Sequence, residues 1–288
     1  MDDIALQAFN ILVGISTLAL ITIGLGVVYG MMKIINLAHG EFMMLGAYTV
    51  VVATSQGINT WLALFVLAPL VSGAAGVVVE RLLIRFLYGR MIDTMLATWG
   101  LGLVMTGVMT TIFGNQVRGV ATPIGSLSIG RFDVGLFGLV IFGAASASLA
   151  TIFMVLKFTR IGLIVRATMQ NSAMASALGV PPKVVYMGTF ALGTALAGLA
   201  GGVLAPVSGV SPSMGAAYIA KAFITVLGGG PAIVSGTALA SAVFGPINEI
   251  VSFHTTPIIG EVALLLSAIV LVRILPQGIT GRFLRRSL

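Results

Sequence analysis

The chain has 288 residues, 58% hydrophobic and only 8% charged. A soluble domain carries about 25% charged residues, so this chain cannot cover a water-facing surface and reads as an integral membrane protein. It has no cysteine and two histidines, His39 and His254, which excludes disulfides, thiolate metal sites, Cys nucleophiles and a His-rich metal centre.

The N-terminal "MDDIALQAFN" carries Asp2 and Asp3 where a secretory signal is basic. The first apolar run, residues 5–30, is therefore predicted to be a retained helix. Charge-poor runs follow at 42–56, 61–79, 94–113, 134–156, 185–207, 214–229, 234–250 and 257–274. Runs of this length point to helices, whereas barrel strands would alternate with a period of two. The runs at 42–56 and 214–229 are short or interrupted by glycine, and fit a re-entrant segment as well as a crossing. The expectation is an all-α, polytopic transmembrane bundle of about eight or nine crossings, forming one domain over 1–288.

Charge sets the orientation. One set of alternate loops holds Lys33, Arg81, Arg85, Arg90, Lys157, Arg160, Arg166, Lys183, Arg282, Arg285 and Arg286; the opposite set holds only Arg118 and Arg131. The N-terminus is placed outside and the C-terminus inside, and the net charge of +7 becomes a positive-inside signature in place of a nucleic-acid footprint. Small residues recur every four positions, as in Gly26/Gly30, Gly193/Ala197/Gly201, Thr194/Gly198/Gly202 and Thr237/Ser241/Gly245. That spacing lets helix backbones approach closely in lipid.

The segment "GVVYGMMKIINLAHGEFMMLGAY" (26–48) is the most polar interruption in the first half. Asn36, His39 and Glu41 fall together there. Ionisable groups at membrane depth default to functional candidates; the competing reading is a turn in water at the inner interface. "VLGGGPAIVSG" (226–236) is glycine-rich but has no Lys, so it is read as a tight turn or broken helix in the bundle and not a phosphate loop. No G-x-S-x-G or H-E-x-x-H motif supports an enzyme.

The inside loop 157–184 contains "RATMQNSAMASALGVPP" (166–182). Asn171 can cap a helix, Met169, Ala173 and Ala177 share a face flanked by Met174 and Leu178, and Gly179 followed by Pro181 and Pro182 ends it. Helices below about 12 residues are marginal in water. This one lacks the large apolar face of an interfacial helix, and its Ala, Ser and Met residues suit docking in a groove of another protein.

These stretches resemble the inner-membrane permeases of ABC importers for branched-chain amino acids and for urea or short amides. "GVVYGMMKIINLAHGEFMMLGAY" is similar to the family's N-terminal signature, and "IVRATMQNSAMASALGVPPKVV" to its cytoplasmic loop. "YIAKAFITVLGGG" and "LPQGITGRF" resemble its late Gly-Gly turn and its ending. Departures are Gln170-Asn171 for Gln-Asp, and Leu-Pro and Ile-Thr in the tail. "RFLYGR" and "LATWGLGL" look closer to the urea branch.

The resemblance implies a multi-pass permease subunit of the bacterial inner (plasma) membrane that pairs with a second homologous permease. Two cytoplasmic ATPases would bind ATP and Mg, and an extracytoplasmic binding protein would deliver the solute. The chain itself would be no enzyme and hold no cofactor. Arg166, Met169, Asn171, Ala173, Ala177, Leu178 and Gly179 would form the element coupled to the ATPase, with Asn36, His39 and Glu41 as weaker pathway or gate candidates. The alternative is a secondary transporter or facilitative channel for a small polar solute.

Overall fold

The computed structural model describes residues 2–129 and 132–283; Arg131, Arg285 and Arg286 of the charge count lie outside them. The helices are α1 (Asp2–Met32), α2 (His39–Ser55), α3 (Thr60–Leu62), α4 (Ala68–Leu82), α5 (Met91–Phe113), α6 (Phe137–Phe158), α7 (Arg160–Gln170), α8 (Ser172–Ala177), α9 (Pro182–Ser208), α10 (Met214–Gly229), α11 (Ile233–His254), α12 (Pro257–Ile274) and α13 (Gly278–Phe283). Seven described helical segments are long and apolar enough to cross a membrane: Ile4–Met32, Thr60–Leu82, Met91–Phe113, Phe137–Phe158, Pro182–Ser208, Ile233–His254 and Pro257–Gly281. The runs at 42–56 and 214–229 become α2 and α10, of 17 and 16 residues.

Three local features depart from the sequence reading. Thr60–Leu82 is not uniformly α: Ala63–Leu67 forms a π turn, because Pro69 has no N–H to offer the Phe65 carbonyl. The Gly/Ser-rich loop after α5 contains an antiparallel ribbon, β1 (Ser126–Ile129) with β2 (Phe132–Gly135). The loop 157–184 holds two helices where one was expected. Asn171, with φ −154 and ψ 98, is extended and ends α7 before α8 begins.

The chain folds as two compact units, one of residues 1–23, 122–149 and 220–288, the other of residues 24–121 and 150–219. In the second unit α9 is the central helix. Its Gly201 lies on the Met43 backbone of α2, and its Gly198 fits between Gly46 of α2 and Ser72 of α4. Thr194 fills the space over Gly76 of α4, and Gly193 lies against Gly24 and Val28 of α1. The two adjacent small-residue rows of α9 share their neighbours unequally: Gly193 and Gly201 face α1 and α2, Thr194 faces α4, and Gly198 and Gly202 lie between α4 and α2. The Ser72 hydroxyl donates to the Phe42 carbonyl at 3.1 Å and joins α4 to α2.

In the first unit α11 packs on α12, and Gly245 lies on the backbone of Ile15 in α1. The glycine-rich stretch is a break between helices: Gly228 and Gly229 close α10, Gly230 turns the chain with φ +84, and the Thr280 hydroxyl donates to the Gly229 carbonyl at 2.6 Å.

A side chain added at Gly201 would strike the Met43 carbonyl, whereas one at Gly188 of the same helix meets nothing within 4 Å. Gly201→Val is expected to destabilise the protein by about 1–3 kcal/mol or more, and Gly188→Ala to leave it within about 1 kcal/mol. Thermal unfolding of the purified protein in detergent checks both.

Candidate functional site

The segment between α1 and α2 leaves the helical path at Lys33, whose φ is +53. Asn36 then makes a local turn: its Oδ1 accepts the Ala38 amide at 3.1 Å, and its carbonyl accepts the His39 amide at 3.4 Å. Asn36 and His39 are both 0% exposed, so this helix-connecting turn is packed inside the protein. The His39 ring lies against Gly24, and Gly40 lies backbone to backbone on Gly215.

Glu41 stands in the first turn of α2, where the helix dipole favours a carboxylate. Its carboxylate packs over Gly102 of α5, and its Oε2 is buried with no hydrogen-bond partner among the described residues. The break is tied down by Thr98 of α5, whose hydroxyl accepts the Leu37 amide at 3.0 Å and lies 2.9 Å from the Thr94 carbonyl. Thr98 went unnoticed in the sequence because a mid-helix Thr in an apolar run carries no signal of a distant partner.

The candidates in the 157–184 loop divide into inward and outward groups. Arg166 on α7 turns back to donate to the Leu156 carbonyl at the end of α6. Asn171 caps α8 by accepting the Met174 amide at 3.0 Å. At the other end the Gly179 amide bonds to the Ser176 carbonyl and the Val180 amide to the Ala175 carbonyl, both at 3.0 Å. This is a Schellman motif with Gly179 at φ +88. Ala175 is buried, while Met174 and Leu178 are 59% and 78% exposed; Ala173, Ala177 and Gly179 are exposed beside them.

Met169, Asn171 and Ala173 line an open pocket of ≈ 310 Å³ together with Met31, Met32, Lys33 and Tyr186. The pocket thus brings part of the loop set beside Lys33, three residues before Asn36. It does not reach Glu41 or Ala177.

The sequence also gave no sign of a buried polar cluster at the end of α4. Glu80 is 0% exposed and accepts the Tyr88 hydroxyl, with the Arg85 Nε at 4.0 Å. Tyr88 packs on Tyr186 with ring centroids 4.9 Å apart, which ties the 83–90 loop to the first turns of α9. Burial first, and then the hydrogen bond to Glu80, push the Tyr88 phenol far above its ordinary range, so it remains a donor.

The family described as "Branched-chain amino acid transport system / permease component" matches residues 7–275. The chain is 28% identical to the high-affinity branched-chain amino acid transport system permease protein LivH of Salmonella typhimurium, over 96% of this chain and 95% of that protein. It is 29% identical to LivH of Escherichia coli over the same shares, and 27% identical to BraD of Pseudomonas aeruginosa over 80% of each. A solved structure, PsaBC from Streptococcus pneumoniae in complex with Fab, matches 96% of this chain and 93% of its own at 16% identity and a TM-score of 0.48. That likeness is too distant to support an inference.

Removing the phenol leaves a buried carboxylate without its donor, so Tyr88→Phe is expected to cost about 1–3 kcal/mol. Pairing it with Glu80→Leu should cost less than the two changes summed, as read in a double-mutant cycle of thermal unfolding.

Proposed function

The chain belongs to the branched-chain amino acid transport system permease components, and from that membership we propose that it carries branched-chain amino acids inward as one half of a paired permease. As a member it is a multi-pass membrane permease of an ABC transport system and not itself an enzyme; ATP is handled by separate subunits. The family match over residues 7–275 carries the reading. The solute choice is supported by the names of the relatives, which are branched-chain amino acid permeases. "LATWGLGL", which leans towards the urea branch, contains Thr98 and Gly102, whose contacts in the structure are local packing around the α1–α2 break.

The orientation has the N-terminus outside and the C-terminus inside, which requires an odd number of crossings. Seven long helices plus α2 and α10 supply nine. The loop 157–184 then lies in the cytoplasm, within a single permease domain over 1–288, and α8 is the element on which an ATPase subunit acts. Two observations support that role. Met174 and Leu178 present apolar surface to water on a helix fixed at both ends. The pocket beside it runs on to Lys33 and so to the α1–α2 break, where Asn36, His39 and Glu41 are proposed as pathway or gate residues. Two ATPases, a second permease and an extracytoplasmic binding protein complete the assembly.

Proteoliposomes holding this chain with its partner permease, ATPases and binding protein should take up leucine only when ATP is supplied. Uptake by this chain alone, without ATP, would instead mark a secondary carrier or channel. Leu178→Arg is expected to lower leucine uptake about tenfold, the size of loss typical of an interface anchor, with the complex still assembled. Gly179 is a poorer probe, since its φ of +88 strains any side chain placed there. Wild-type uptake by the Leu178 variant would remove α8 from the coupling role. Glu41→Gln should slow uptake if the carboxylate gates the pathway; unchanged kinetics would return it to packing.

A further inference from the structure

The large apolar residues that 166–182 lacks lie just upstream of it. Phe158 ends α6, and Ile161, Leu163 and Ile164 lie in the first half of α7. Phe158, Ile161 and Leu163 are 71%, 65% and 61% exposed, and Arg160, Ile164 and Ala167 are exposed beside them. Gly162, Val165 and Thr168 form the buried side of α7. Residues three and four apart share a helix face, so Arg160, Leu163, Ile164 and Ala167 make one open face that is basic at its start and apolar beyond.

α7 does not prolong α6. Thr159 between them is extended, with φ −107 and ψ 157, and its hydroxyl accepts the Gly162 amide at 3.1 Å. Gly162 packs on the Val155 and Leu156 carbonyls of α6, where a Cβ would strike them. In one continuous helix these residues would lie about 9–11 Å apart along the axis. The chain has therefore turned a tight corner, and Arg166 fixes it by donating to the same Leu156 carbonyl. Since α6 is long and apolar enough to cross a membrane, the corner marks where that crossing ends.

Two observations say what covers the open face. It runs on from Phe153 and Met154, the exposed apolar residues near the end of the span. The Lys157 Nζ lies there, 5.1 Å from the Phe153 ring centroid and 5.3 Å from that of Phe158. A cation held among aromatic rings at the end of a span marks the depth of the lipid head groups. The second observation is charge. No Asp or Glu occurs between residues 150 and 184, against Lys157, Arg160, Arg166 and Lys183, so the complementary surface is anionic. Large apolar residues on one side with basic ones at the edge suit a helix lying in the membrane surface.

We propose that α7 lies in the head-group layer of the membrane, with its open face on the acyl chains and Lys157 and Arg160 on the phosphate of an anionic phospholipid. Only Asn171 separates α7 from α8, so this seat also sets the height of α8 above the bilayer. The inference needs α6 as a span and holds whichever solute the permease carries.

The chain has no cysteine. Leu163→Cys and Leu178→Cys therefore each give it one site for a nitroxide label, in proteoliposomes of a complex whose other subunits carry no cysteine. The label at 163 is expected to be relaxed more by oxygen, which collects in the bilayer, than by a water-soluble nickel chelate; at 178 the order should reverse. A label at 163 that favours the chelate places the face in water and overturns the proposal. One shielded from both places it under a protein partner and does the same. Native mass spectrometry of the complex, titrated with phosphatidylglycerol or phosphatidylcholine, reads the head group. Lys157→Gln with Arg160→Gln should weaken the tightest phosphatidylglycerol site about fivefold per cation removed and leave phosphatidylcholine unchanged. An affinity within about twofold of wild type would overturn the site. Displacement of the lipid by millimolar inorganic phosphate would assign the two cations to a free anion and also overturn it. Should the double variant fail to assemble, Arg160→Gln alone, which keeps the Lys157 ring contacts, decides by the same threshold.

Discussion

The contact that the larger unit depends on is close approach at glycine: α9 lies backbone against backbone on α2 on one side, and glycine against small side chain on α4 on the other. Lipid tails are as apolar as leucine, so helices in a membrane gain little from hiding leucine from their surroundings. They gain from packing, and packing is tightest where no side chain intervenes. Gly201 on Met43, Gly198 between Gly46 and Ser72, and Thr194 over Gly76 put this principle into three successive turns of one helix. Such an interface has no room for a side chain at these positions. Motion in this unit is therefore expected as displacement of packed groups of helices, with flexibility left to the breaks between them.

The polar groups mark where those breaks are held. An unpaired polar group inside a membrane protein costs more than in water, so a buried one is either satisfied or retained for use. Thr98 answers the Leu37 amide, and Tyr88 answers Glu80. Both bonds join a helix to a neighbouring irregular segment and act as pins. Glu41 Oε2 and Asn36 Nδ2 remain without partners among the described residues, and both lie at the α1–α2 break. The structure is thus closely packed along α9 and polar and incompletely satisfied at the start of α2.

How much could be read from sequence followed from how local the cause was. The bounds of α10 and α12 were legible because composition alone decides where an apolar run stops. The Asn171 cap and the Gly179 ending were legible because each depends on a few adjacent residues. The split of 166–179 into two helices was not, although the same Asn171 causes it: a residue that caps one helix must also leave the previous one, and periodicity across Met169, Ala173 and Ala177 concealed that. The π turn at Ala63–Leu67 follows from Pro69 and was available in principle. The Glu80–Tyr88 pair and the Thr98 contact were out of reach, since their partners meet only once the fold has formed.

The small loop helix shows why capping matters for work done on a membrane protein. Six residues cannot hold a helix in water by propensity, so α8 exists only because Asn171 satisfies its first turn, the Schellman turn satisfies its last, and Ala175 anchors it inward. That leaves Met174 and Leu178 at fixed positions on a short rigid rod. A push on a flexible loop would be absorbed as entropy. A push on a rod that shares a pocket with Lys33 passes to the end of α1 and to the break beyond it. Tyr186, on the wall of that pocket, also packs at a tilt on Tyr88 of the loop after α4. One short capped helix thus shares its surroundings with the end of α1 and, through Tyr186, with the loop after α4, and this follows from where the caps and the pocket lie rather than from any property of α8 alone.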